Sequence, residues 1–197
     1  MKTLYIVCNM GAAGDMLTAA LIELLPDPDA FLATMNAAGI PGLRMTRSDK
    51  TSCGVRGTHI SVTIHGEEEI SHDVHDHDPE QHHHGHDHAH EHHHEHHHAG
   101  LAEVREIIGG LRLPDAVKRD AMEVYALIAD AEAHAHGCEV ERVHFPEVGM
   151  MDAITDVSAV CLLMHMLKPD DIVTSPLCTG YGRVRWPAWS AGSWTAR

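Results

Sequence analysis

Apolar positions recur along this chain with two different spacings, and the switches between them set the expected order of elements. Residues 3–9 form a short apolar run that reads as a buried strand, ended by the turn Asn9-Met10-Gly11-Ala12-Ala13-Gly14. Asp15 then opens a helix over Met16 to Leu25, with apolar residues at helical spacing until Pro26 closes it. A second helix is expected from about Asp29 to Ala38, with Gly39 as its C-terminal stop. Residues 43–50 and 57–65 read as two strands. The second, Thr58-His59-Ile60-Ser61-Val62-Thr63-Ile64-His65, alternates strictly, as a half-buried strand does. Between them, Ser52 to Gly57 holds the glycines that a turn or bulge needs. Helical spacing returns near Leu101, with one helix over 101–110. A longer one starts at Pro114 and runs through Val117, Ala121, Val124, Ile128 and Ala131 to Gly137. A third spans Met151 to Leu167, before Lys168-Pro169, and Asp171 to Ser175 is a final strand.

Residues 66–98 follow neither rhythm. Of the 21 histidines in the chain, 15 fall between His72 and His98, interleaved with Asp and Glu and almost without apolar neighbours. Such a stretch cannot bury enough surface to offset its ordering entropy, so disorder is expected before metal binds. The predicted fold class is α/β: a mixed α/β domain with a disordered His-rich insertion. Residues 1–65 are its N-terminal α/β part, 66–98 the loop, and 99–185 the remainder of the same domain. Residues 186–197 form an atypical tail holding all 3 tryptophans, Trp186, Trp189 and Trp194, without periodicity. A floppy end and a C-terminus foreign to the rest of the protein both fit that tail.

Composition narrows the classes of function. A chain of 197 residues buries one ordinary core. Its formal charge of −15 argues against nucleic acid and anionic membrane as partners, which need a basic surface. The histidines hold the isoelectric point to about 5.7, so charge should vary steeply just below neutrality. No apolar run approaches the roughly 18 residues of a membrane span, and the N-terminus lacks the marks of a signal peptide. The 5 cysteines are odd in number and form no CxxC pair, which predicts reduced thiols and a cytoplasmic protein.

The strongest chemical signal is the histidine loop. Its expected metal ligands are His82, His83, His84, His86, His88, His90, His92, His93, His94, His96, His97 and His98. Imidazole suits nickel, zinc and copper, and a flexible run satisfies octahedral or tetragonal geometry without preorganisation. The neighbouring carboxylates can hydrogen-bond the free ring nitrogens. A terminal purification tag would be homogeneous, whereas this run is internal and mixed with acids. Its redundancy fits a reservoir, with nickel the expected ion, better than a catalytic centre. The second constellation is His144, Glu147, Asp152 and Asp156. The first two are expected in a loop before a helix, and the two Asp residues project from one face of its first turns. They offer a metal site or an acid–base set, although Asp near a helix start also caps it. The third is the turn bearing Gly11, Gly14 and Asp15, whose backbone amides could hold a phosphate or carboxylate. It is neither a P-loop nor a dinucleotide fingerprint, so a plain tight turn fits too. His134 and His136 at a helix end read as structural.

Taken in order, these segments resemble the LarC-type nickel-insertion family. The shared features are Gly11-x-x-Gly14-Asp15-Met16, Gly54-x-x-Gly57-Thr58, the histidine-rich insertion, and Ala131-Glu132-Ala133 with His136-Gly137. The most specific is His144-Phe145-x-Glu147-Val148-Gly149-x-x-Asp152-x-Ile154-x-Asp156, followed by Ser175-Pro176-Leu177 and Gly180-x-Gly182. The resemblance implies insertion of nickel into pyridinium-3,5-bisthiocarboxylic acid mononucleotide, with CTP required. The product is the nickel-pincer cofactor of lactate racemase. It implies catalytic roles for His144, Glu147, Asp152 and Asp156, and a seat for the substrate's phosphate or a metal-linked partner at Gly11, Gly14 and Asp15. The implied partners are the nickel-free nucleotide, a C-terminal half that binds CTP, and a racemase-type apoenzyme downstream; a homo-oligomer stays open. Pro146 stands where the family usually has a second histidine, and Met150 where it has a small residue. After Arg185 the family continues differently, which leads to the expectation that this chain is the N-terminal half ended in an unshifted reading frame. The competing class is a nickel store or metallochaperone without catalysis.

Overall fold

A computed structural model describes residues 1–67, 99–145 and 149–179. The histidine loop, Glu147 and the tryptophan tail lie outside the described residues. What is described is mixed α/β, as expected. In chain order the elements are β1 (Thr3–Ile6), α1 (Gly14–Ile22), α2 (Pro28–Asn36), β2 (Leu43–Ser52), β3 (Val55–Ile64), β4 (Ala99–Gly100), α3 (Leu101–Gly110), α4 (Asp115–His136), β5 (His144–Phe145), α5 (Met151–Leu167) and β6 (Asp171–Thr174).

Among the described residues the strands form three separate pairs. β1 and β6 run parallel, Thr3 opposite Asp171 and Ile6 opposite Thr174. β2 and β3 form an antiparallel hairpin from Leu43↔Ile64 to Ser52↔Val55. Its two-residue turn, Cys53-Gly54, has positive φ at both positions (50° and 81°), the left-handed pair whose twist matches the flanking strands. Gly57, expected to share in the turn, lies within β3. The two-residue pair β4–β5 has no counterpart in the sequence reading, because four residues carry no period. It takes His144 out of the expected loop and into a strand, opposite Gly100.

The helices sit where their ends dictate. Asp27 caps α2 by accepting from the Ala30 N–H at 3.1 Å, with Pro28 in the first turn. Gly137 ends α4 in the left-handed region at φ 63°, and the Gly137 and Cys138 amides both turn back to the Ala133 carbonyl. The buried face of α4 is Val117, Ala121, Tyr125, Ala129 and Ala133, a strict i+4 row. Val124 and Ile128 lie beside that row, partly buried, and Ala131 is exposed. α5 is apolar nearly all round and packs between α1 and α4. Phe31, Met35, Ile22, Val104, Ile108, Tyr125, Phe145, Ile154 and Leu163 close the core.

β1 departs from the expected buried strand. It ends at Ile6, and Tyr5 and Val7 are 60% and 58% exposed. Only its Leu4 and Ile6 side turns inward, so alternation rather than full burial governs this element. No described helix is long and apolar enough to cross a membrane.

Candidate functional site

The parallel pairing of β1 and β6 brings both strand C-terminal ends to one edge. The chain leaving β1 is pinned there by the chain leaving β6. The Cys8 N–H donates to Ser175 Oγ at 2.8 Å, and the Cys178 N–H donates to the Cys8 carbonyl at 3.0 Å. The Gly11 N–H closes back on the same carbonyl at 3.2 Å. Gly11 adopts φ 91°, which a side chain would strain, so the glycine is required by the turn itself. The backbones of Cys8 and Cys178 thus meet across the sequence, whereas Cys53 sits at the hairpin tip. Cys161 is a different case: burial first, then the charge of Asp120, push its thiol up to about 11.

From this turn the chain enters α1. Gly14 is already the first helical residue, and its neighbour Ala13 offers no side-chain cap. The cap comes from α5. The Asp156 carboxylate receives the backbone N–H of Asp15, in the second helical position, where a local cap would normally accept. This interhelix cap requires glycine. A Cβ on residue 14 would lie 2.5 Å from Asp156 Cβ and 2.6 Å from its Oδ2.

The same carboxylate is electrostatically crowded. Desolvation raises its pKa first, then the charges of Asp15 and Asp152, with the Asp15 N–H partly offsetting them; the result is about 6. Asp152 lies one turn earlier on α5, as the spacing predicts, and its Oδ1 sits 2.6 Å from the Ala153 nitrogen. Below the pair stands Tyr125 of α4, fully buried. Burial and then the fields of Asp152 and Asp156 push its hydroxyl pKa strongly upward. Its ring meets Phe145 edge-on at 6.0 Å between centroids, which ties the acidic pair to the strand carrying His144.

Of the residues singled out in the sequence, the structure therefore brings together Gly14, Asp15, Asp152 and Asp156. Gly11 is at the adjoining turn, and His144 is exposed on β5. Among the described residues no group of three or more His, Cys, Asp or Glu side chains is arranged to hold a metal ion. Sequence reasoning missed Tyr125, which only the i+4 row of α4 could have flagged; Ser175 was noted only within Ser175-Pro176-Leu177, with no role in pinning Cys8. The glycine turn after β1 thus leads into a helix start where Asp15, Asp152 and Asp156 lie close together.

The sequence model of the family described as "Nickel insertion protein" matches residues 4–188. The chain belongs to that family. It is 33% identical over 185 residues to the pyridinium-3,5-bisthiocarboxylic acid mononucleotide nickel insertion protein of Akkermansia muciniphila, covering 93% of this chain and 41% of that one. The protein of the same name from Lactiplantibacillus plantarum is 34% identical over 182 residues, covering 92% and 41%. That from Acetivibrio thermocellus is 32% identical over 182 residues, covering 92% and 40%. The chain thus spans about two fifths of the length of these relatives. No solved structure matches it.

Proposed function

We propose that this chain is the nickel-handling part of an enzyme that inserts nickel into pyridinium-3,5-bisthiocarboxylic acid mononucleotide. The product is the nickel-pincer cofactor taken up by a lactate racemase-type apoenzyme. The observation carrying this reading is the family match over residues 4–188. Nickel is a substrate here. Insertion makes two nickel–sulfur bonds and one nickel–carbon bond, and the ring carbon gives up its proton as nickel binds. A base beside a cluster of negative charge serves both needs. With a pKa of about 6, Asp156 is ionised at neutral pH and still basic enough to take a proton. Asp152 adds the charge that draws Ni²⁺ in, and His144 and Glu147 complete the set from the preceding segment. Gly11, Gly14 and Asp15 form the wall against which the substrate sits.

The phosphate end of that substrate is turned away from this wall. Asp156 already accepts the Asp15 N–H at the start of α1, where an anion would otherwise bind, and Asp15 and Asp152 repel another negative group. The same argument applies to CTP, which these residues do not fit. Its expected holder is the rest of the family polypeptide. The histidines from His82 to His98 serve as the nickel reservoir, in a cytoplasmic setting consistent with five free thiols.

Reconstitution tests the proposal: the chain with Ni²⁺, the bisthiocarboxylate nucleotide and CTP, with and without the remaining polypeptide of a longer relative. Glu147→Gln with Asp152→Asn should abolish cofactor formation and leave bound nickel unchanged. Deleting 72–98 should lower nickel loading and raise the concentration needed. Cofactor formation unchanged both in the double variant and in Asp156→Asn would favour a nickel store or metallochaperone.

A further inference from the structure

The β1–β6 pair is an unfinished sheet. Parallel strands occur almost always with both faces covered, yet among the described residues this sheet has two strands and an open outer face. In the register Tyr5 stands beside Val173, and both point outward, 60% and 41% exposed. Val7 continues that face at 58%, whereas Ile172, opposite Leu4, is 49% exposed on the other face of β6. At the C-terminal edge, where the acidic site lies, Met10 and Leu177 are 86% and 55% exposed. Of the twelve large apolar side chains exposed among the described residues, Tyr5, Val7 and Val173 thus share the outer face, and Met10 and Leu177 flank its C-terminal edge. Scattered singly they would need no explanation; gathered beside strand edges that are unpaired among the described residues, they mark a surface built to be covered.

We propose that this face docks, as a separate polypeptide, the region that the longer relatives carry outside the matched two fifths. That region extends the sheet at a free edge and lays apolar side chains over Tyr5, Val7 and Val173. Its length is the argument for it. About three fifths of each relative lies outside the match, enough for a covering domain, and β6 runs toward the end of the matched segment. The docked region then borders Met10 and Leu177, beside the turn that leads to Asp15. The inference rests on the proposed function for the need of a second part, but its test does not use nickel or substrate.

The full chain is co-expressed with the unmatched three fifths of the Akkermansia muciniphila relative as a separate polypeptide. A one-to-one complex is expected by size exclusion with light scattering, with amide exchange at Leu4–Val7 and Ile172–Thr174 slowed relative to the chain alone. Tyr5→Glu with Val173→Lys should weaken the complex at least about 30-fold. Leu127→Glu, at a more exposed apolar position on α4, should not. Unchanged melting temperatures show that the variants fold. The proposal is overturned by absence of a complex, or by a complex indifferent to the Tyr5/Val173 pair. It is also overturned by a homodimer that the pair disrupts, or by full protection of β1 and β6 in the isolated chain. Any of these leaves the nickel-insertion reading standing, because cofactor formation is measured separately.

Discussion

Two helix contacts in this protein are built on opposite principles. Where α2 meets β2, polar needs are met locally. Asn36 donates to the Leu32 and Met45 carbonyls at 2.9 Å each and accepts the Met45 N–H at 2.8 Å. Asp27 caps the same helix, while Phe31 and Met35 fill the space beneath. Where α1 meets α5, the cap is borrowed from across the contact, a carboxylate is pressed against a glycine, and like charges gather. Thr18 Oγ1 and Ser158 Oγ, on the same two helices, are buried without a hydrogen-bond partner. One contact is arranged for stability alone. The other keeps its conflicts, which fits the proposed site, where a task would outweigh a fraction of the folding free energy.

The comparison breaks most decisively at Asp156. Asp156→Asn should cut nickel-cofactor formation by about 10²–10⁴-fold, the usual range for a lost general base. The same variant should melt higher than wild type at pH 7.5. The folded pKa is raised from 3.8 to about 6, so this carboxyl's contribution to stability is fully present below about 3.8 and is lost as pH rises through 6. The melting difference should therefore vanish near pH 4, and a difference constant with pH would refute the crowding argument. Gly14→Ala comes next, at about 2–3 kcal/mol of destabilisation in urea titrations, because the new methyl meets Asp156. Adding Asp156→Ala should recover part of that loss, as contacting residues do in a double-mutant cycle. Asn36→Ala should cost about 1–2 kcal/mol by stranding the backbone of buried Met45, with no rescue from α5. Asp27→Ala is smallest, about 1 kcal/mol of cap, with cofactor formation unchanged.

The locally determined half of this comparison was legible in the sequence. The bounds of α3 and α5 were legible to the residue, and α4 to within one, because Pro114, Gly137 and the Lys168-Pro169 break punctuate a clear helical period. The hairpin was legible from alternation in β3. The other half depends on separations of more than a hundred residues. The spacing of Asp152 and Asp156 put them on one face, but nothing in it says that Asp156 caps α1. Gly14 reads as a turn residue and turns out to be a packing one. β1 looked buried because apolar strands usually are, and a strand paired once among the described residues and covered on one side breaks that habit.

The pairing of Thr3 with Asp171 and of Cys8 with Cys178 sets a timetable for biosynthesis. Among the described residues the first strand finds its hydrogen-bonding mate only 168 residues later, well after it leaves the ribosome. Until α5 and β6 emerge, the Gly11–Asp15 corner has neither its cap nor its anchor, although the histidine-rich stretch is already translated. If the histidines act as the proposed reservoir, a nascent chain would gather metal before it owns the proposed place to use it, since contacts this distant in sequence close slowly.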